Sequence, residues 1–223
     1  MCYIKELRNL NEIGRVEKRG IYKRWVLKNP KEGFLIDAYM EKINYCIQDL
    51  NSELASISQL SSKSVVNIIA LTTWVSQAVY AIRSAYRKDS LQGFTYEHEE
   101  ALLQGLEFLR AIRSFVVAHP LTTEDHEKYS MDGRLRCIDI RFEQPLLALR
   151  PEKFFAHLDH SGYHPGVKLA SDFYLYGYYR EANADEAHTV YIGCCLADIY
   201  RVAELYIDKL YAMDKYLKNV RRK

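Results

Sequence analysis

Proline placement sets the plan of this chain. Its five prolines leave residues 31–119 and everything after Pro165 without one, while Pro145, Pro151 and Pro165 cluster between. A proline inside a helix removes an amide donor and crowds the preceding turn. Two long stretches are therefore free to be helical, and the middle is not.

The first stretch divides into three. Ile36, Tyr39, Ile43, Cys46, Ile47, Leu50, Leu54 and Ile57 recur every three or four residues, which predicts a long helix near 34–58. Val65, Ile68, Ile69, Val75, Val79, Ile82 and Tyr86 predict a second near 62–88, capped by Ser61 or Ser62. A third, near 95–118, opens on Thr95 as cap with Glu97, Glu99 and Glu100 at its positive end. Its stripe runs Leu102, Leu106, Leu109, Ile112, Val116. Asn183-Ala-Asp-Glu186 reads as a capping-box variant opening a fourth helix at 184–220. Its stripe runs Ile192, Cys195, Leu196, Ile199, Val202, Ala203, Tyr206, Leu210, Met213, Leu217, and Lys215, Lys218, Arg221 and Arg222 suit its negative end.

The 64 residues at 120–183 are too many for a structureless loop. LRCIDIRF (135–142) and SDFYLYGYY (171–179) alternate like paired strands, and Pro151 can begin a short helix over 151–160. The expected fold class is mainly α: a four-long-helix bundle with a small two-stranded β element inserted between helices 3 and 4. One domain, 1–223, is expected, with a basic N-terminal segment at 1–32 and a β-containing insertion at about 120–183.

With 48% hydrophobic residues and a net charge of +2, a wholly disordered chain is excluded. No uninterrupted apolar run approaches a membrane span, and the N-terminus lacks a secretory pattern, so a cytoplasmic chain without a membrane partner is expected. Five cysteines (Cys2, Cys46, Cys137, Cys194, Cys195) without CxxC spacing argue against a disulfide framework or a cysteine zinc site. Cys46 and Cys195 fall on apolar stripes, as buried thiols do. The charge is uneven: +5 over residues 1–32, +5 over the last nine, −8 between. Basic ends can touch phosphates or simply be solvated termini.

The third helix closes on Arg110-Ala-Ile-Arg113-Ser-Phe-Val-Val-Ala-His119-Pro120. An Arg and a His separated by five residues, ending a helix in a helical bundle, resemble the HEPN superfamily. Active members of that superfamily carry an arginine followed four to six residues later by a histidine. The resemblance implies a helical-bundle fold, frequent dimerisation and metal-independent RNA cleavage, with Arg113 and His119 as catalytic residues, no metal and no cofactor. The family usually has a polar residue, often Asn, straight after the arginine; here it is Ser114.

The residues carry their own chemistry. On an uninterrupted helix six steps of about 100° leave Arg113 and His119 about 120° apart. Pro120 pushes His119 off the helical path, towards Arg113 or towards the motif of a second subunit. Imidazole can take a proton from a ribose 2′-hydroxyl, and a guanidinium can clamp the phosphate and its transition-state charge. The structural alternative is a histidine that satisfies helix-end carbonyls and an Arg113 paired with an acid on a neighbouring helix.

His157, His160 and His164, with Asp159 among them, have spacing that could bind zinc or iron. Gly162 and Pro165 interrupt the helix this needs, and loop histidines are the better reading. Of the 18 tyrosines, Tyr174, Tyr176, Tyr178 and Tyr179 crowd the second strand, and Tyr191, Tyr200, Tyr206, Tyr211 and Tyr216 the last helix. Such rows stack on bases of single-stranded RNA or pack at protein interfaces. No GxGxxG, GxxxxGK[ST] or GxSxG is present. The sequence therefore points to a HEPN-like homodimer that is a metal-independent endoribonuclease or an RNA-binding relative of one. The rival reading is a non-catalytic dimeric interaction module.

Overall fold

The computed structural model describes residues 4–13, 15–16, 21–22, 25, 30–86, 91–118, 133–145, 171–181 and 183–220. Among them the chain is mainly helical, with four long helices and a small antiparallel sheet. Helix α1 spans Pro30–Ala55 and α2 Ser62–Tyr86. Helix α3 spans Glu99–Arg113 and runs on through a π-helical turn at Ser114–Ala118, and α4 spans Leu196–Val220. Pro30 opens α1 at its first position, where a missing amide costs nothing. Ser61 caps α2, its Oγ accepting from the Ser64 amide at 3.2 Å. The α2 stripe from Val65 to Tyr86 is buried throughout. This helix is long and apolar enough to cross a membrane, but 61% of its most apolar window is buried within the protein.

Two strands expected from the sequence pair as read: β3, Gly133–Arg141, runs antiparallel to β4, Phe173–Glu181. The sheet has a third strand, β5 at His188–Cys194, which pairs with β4, so the two-stranded expectation is corrected to three. A separate two-residue ribbon joins β1, Arg15–Val16, to β2, Ile21–Tyr22. The fourth helix consequently starts at Leu196 and not at 184. Val190, Ile192 and Cys194 are buried on one side of a strand, a period of two that the three-four stripe from Ile192 to Ile199 concealed. Asp172 supplies the cap expected from Asn183: its Oδ2 accepts the Leu196 amide at 2.9 Å. The third helix begins at Glu99, four residues later than expected, because the Leu102 amide takes the carbonyl of His98 and Thr95 lies outside the helix.

The chain divides into two compact units. The first comprises Met1–Ile4, Leu60–Ala70 and Leu103–Ile199 and holds the sheet. One sheet face there, with Cys137, Ile140, Phe173, Leu175, Val190 and Ile192, is apolar and buried. The second comprises Lys5–Gln59, Leu71–Leu102 and Tyr200–Lys223. Its core draws Ile36, Met40, Ile43, Ile47 and Leu50 from α1 and Val202, Tyr206, Leu210, Met213 and Leu217 from α4. Trp25 is buried there, its Nε1 donating to Asp214 Oδ1 at 3.0 Å and its ring edge-on to Tyr86.

Residues 5–13 of the basic N-terminal segment are docked through their apolar side chains, while Lys5 and Arg8 stay exposed. Leu7, Leu10 and Ile13 are buried, and Asn51 both accepts from the Leu7 amide (2.8 Å) and donates to the Leu7 carbonyl (3.0 Å). Asn44 accepts from the Leu10 amide at 2.9 Å. Asn44 and Asn51 are seven residues apart, two turns along one face of α1.

Candidate functional site

Helix α3 delivers Arg113 as its last residue, and the side chain is exposed. Neighbouring Arg110 forms an ion pair with Glu107 at 2.5 Å. Arg113 has no such partner among the described residues, so the expected alternative of a helix-to-helix pair is not seen there. Both arginines sit where the helix dipole favours positive charge.

The π-helical turn that follows bears on the motif directly, since such turns are frequent at functional sites. A proline at 120 has no N–H for the carbonyl of Val116, four residues before it, so a continued α path could not close its hydrogen bonds. The departure from α geometry, expected only at His119, begins at Ser114. Phe115 and Val116 are buried while Arg113 stays in solvent. His119 lies outside the described residues, as do His157, His160 and His164 and the short helix expected at 151–160. Among the described residues no group of three or more His, Cys, Asp or Glu is placed to hold a metal.

Behind the π turn lies a pocket of about 170 Å³, walled by Phe115, Val116, Val66, Cys137, Ile140 and Leu175, with Ser62 and Asp139 as its polar lining. Its walls are mainly apolar, and it falls short of the roughly 300–1,000 Å³ of ligand pockets. Burial pushes the Cys137 thiol up to about 12, so it is protonated and inert at neutral pH. This pocket is no place for a nucleotide.

The second unit holds a charged cluster that the sequence did not announce. Lys209, with 4% of its side chain exposed, places Nζ 2.6 and 2.9 Å from the Glu99 oxygens, and Arg83 reaches Glu99 at 3.1 Å. Burial works to raise the Glu99 pKa, but the hydrogen bond and charge of Lys209, then of Arg83, outweigh it and hold the carboxyl below its ordinary value. Burial draws Lys209 below the ordinary lysine value, against the pull of Glu99. With the ions matched, the cluster reads as a staple between α2, the start of α3 and α4. A lysine in the middle of an apolar helix stripe could have signalled it.

The tyrosines separate into two groups. On α4, Tyr200 donates to the Leu50 carbonyl (2.6 Å), Tyr211 to that of Asn9 (2.6 Å) and Tyr216 to that of Gln92 (2.7 Å), and Tyr206 is buried. These tyrosines are used internally, as packing. Tyr191 belongs to β5 and not to the helix. Its ring lies 5.0 Å from that of Tyr176, which lies 6.3 Å from that of Tyr178, in a row across β4 and β5 on the side of the sheet opposite the apolar face.

No family model, curated protein or solved structure matches this chain. Its site is read from its own residues.

Proposed function

We propose that the chain is a HEPN-like helical-bundle protein that cleaves RNA without a metal, as a homodimer, with Arg113 and His119 as its reacting pair. The observation that carries this reading is Arg113. It is an exposed guanidinium on the last residue of α3, without an ion-pair partner among the described residues, and it directly precedes a π-helical turn. A structural arginine at this place would be expected to hold an acid, as Arg110 holds Glu107.

In the reaction, His119 takes the proton of a ribose 2′-hydroxyl, whose oxygen attacks the adjacent phosphorus. The bond from phosphorus to the 5′-oxygen breaks, the leaving oxygen takes up a proton, and a 2′,3′-cyclic phosphate remains. Arg113 holds the non-bridging oxygens as their charge grows. The experiment is incubation of the purified chain with single-stranded RNA in excess EDTA, with analysis of the ends. Cleavage that survives chelation and leaves cyclic phosphates supports the reading; cleavage lost on chelation, or none across a broad panel of RNAs, overturns it.

The non-catalytic interaction module is favoured by a different observation. Tyr45, Trp74 and Tyr80 are 60%, 45% and 71% exposed on α1 and α2, with the Lys42 ammonium 4.1 Å from the Trp74 ring. Exposed aromatics of this size suit a protein partner.

A further inference from the structure

We propose that the outer face of the β3–β4–β5 sheet is a platform for single-stranded RNA, with bases stacking on Tyr176, Tyr178 and Tyr191 and phosphates held by Arg136, Arg141 and Arg180. The inference rests on the RNA reading above and names the surface by which the substrate would be held.

Strand alternation builds this face. Along β4, Phe173 and Leu175 turn into the core, which leaves Tyr174, Tyr176, Tyr178 and Arg180 on the other side. The register sets Tyr191 of β5 opposite Tyr176 and Thr189 opposite Tyr178. On β3, Arg136 stands opposite Tyr178, Asp139 opposite Tyr176 and Arg141 opposite Tyr174. Tyr174 is itself buried, so the accessible aromatic row is Tyr178, Tyr176, Tyr191.

A bulge makes the arrangement possible. Arg136 and Arg141 are five residues apart, an odd number that would put them on opposite faces of a regular strand. The register shift between Cys137 and Asp139 inserts one residue and returns Arg141 to the face of Arg136. Gly177 accommodates this shift: a Cβ there would overlap the carbonyl oxygen of Arg136 and come within 3.1 Å of the Cys137 Cα. The sheet thus gives up a side chain on its core side at Gly177, and two arginines share the tyrosine face.

The chemistry of the face selects the ligand. Among its described side chains there are three arginines and one carboxylate, Asp139, which lies 3.1 Å from Arg141. The Arg141 guanidinium also sits 5.5 Å from the Tyr176 ring centre. Tyr and Arg also occur at protein interfaces, but no aliphatic side chain is described on this face and its arginines outnumber its one carboxylate. Positive charge beside π-faces, without aliphatic anchors, complements a polyanion with exposed bases. The rings are tilted by 45° and 56° to one another, and a sheet platform of this kind stacks two or three bases.

The test is fluorescence anisotropy of the full chain with a labelled 2′-O-methyl oligouridine, which has no free 2′-hydroxyl and cannot be cut. Tyr176→Ala and Tyr191→Ala should each weaken binding about ten-fold. Arg141→Ala should weaken it and lower the slope of log K against log salt by about 1. Tyr176→Phe, which keeps the ring, should retain most of the affinity that Tyr176→Ala loses, and Tyr80→Ala, on the exposed aromatic surface of α2, should bind as the unaltered chain does. Melting curves identify variants that remain folded. The proposal is overturned if folded Tyr176→Ala and Tyr191→Ala bind with unchanged affinity. It is equally overturned if Tyr176→Ala splits a dimer while leaving RNA affinity intact, which would make the face a protein interface. Weakened binding by the face variants in a chain that cuts no RNA upholds the platform and removes the Arg113–His119 reading instead.

Discussion

Removing the two partners of the buried ion pair should not cost the same. In Glu99→Ala, the Lys209 ammonium, on a side chain only 4% exposed, loses both carboxylate oxygens, at 2.6 and 2.9 Å. Breaking a buried pair in this way costs about 3–5 kcal/mol, and the 35% exposure of Glu99 places the expected loss near the lower end, about 3 kcal/mol. At roughly 2–4 °C per kcal/mol for a chain of this size, the melting temperature should fall by about 6–12 °C. Lys209→Met removes the buried charge itself, fills much of the same volume and leaves Glu99 beside Arg83 and solvent, so about 0–1 kcal/mol is expected. The double variant should resemble Lys209→Met alone, because no orphaned ammonium remains. Urea titration of the three variants at pH 7 reads these differences as midpoints at constant m. Equal losses for the two single variants, or a larger loss for Lys209→Met, would refute the argument that desolvation of Lys209 dominates.

The same carboxylate makes a pH prediction. Its folded pKa is lowered, so it contributes stability above its unfolded value, about 4.3, and that contribution is lost as pH falls through the folded value; between pH 7 and pH 3 the urea midpoint of Glu99→Gln should fall less than that of the unaltered chain. Gly177→Ala should destabilise the sheet and weaken RNA binding together, since the added methyl meets the backbone of the bulge; anisotropy and melting that both match the unaltered chain would contradict this. Cys46, Cys137, Cys194 and Cys195 are buried, so in native buffer none should take up a maleimide, while all four should label in urea; mass spectrometry of the peptides decides it.

The helices were legible because their apolar residues repeat with the period of a helix and prolines mark where they cannot continue. Cys46 and Cys195 were read as buried thiols on the same ground, and both are buried. The stretch 188–194 was misread because HTVYIGC satisfies two periods at once: Ile192 belongs to a three-four series with Cys195 and Ile199, and to a two-residue series with Val190 and Cys194. Pairing with β4 decides between them, and that is a long-range fact. The tyrosine row of β4 was visible in the sequence, but its arginine neighbours were not. Arg136 and Arg141 share a face only through a bulge opposite a glycine, and Arg180 and Tyr191 come from further strand positions. Lys209 was hidden for a related reason, its partner Glu99 being 110 residues away. Arg113 ends the α-helical part of α3, five residues before the helix end expected at 118, and His119 lies outside the described residues.

The most direct test of the central claim is the rate of single-stranded RNA cleavage in EDTA by Arg113→Ala, Arg113→Lys and His119→Ala, each checked for an unchanged melting temperature. Loss of a general base costs about 10²–10⁴ in rate, so His119→Ala should cut at least 100-fold more slowly than the unaltered chain. Arg113→Ala should be similarly impaired, and Arg113→Lys should recover little, because an ammonium lacks the planar fork that grips two phosphate oxygens. Folded alanine variants that cut as fast as the unaltered chain would contradict the account.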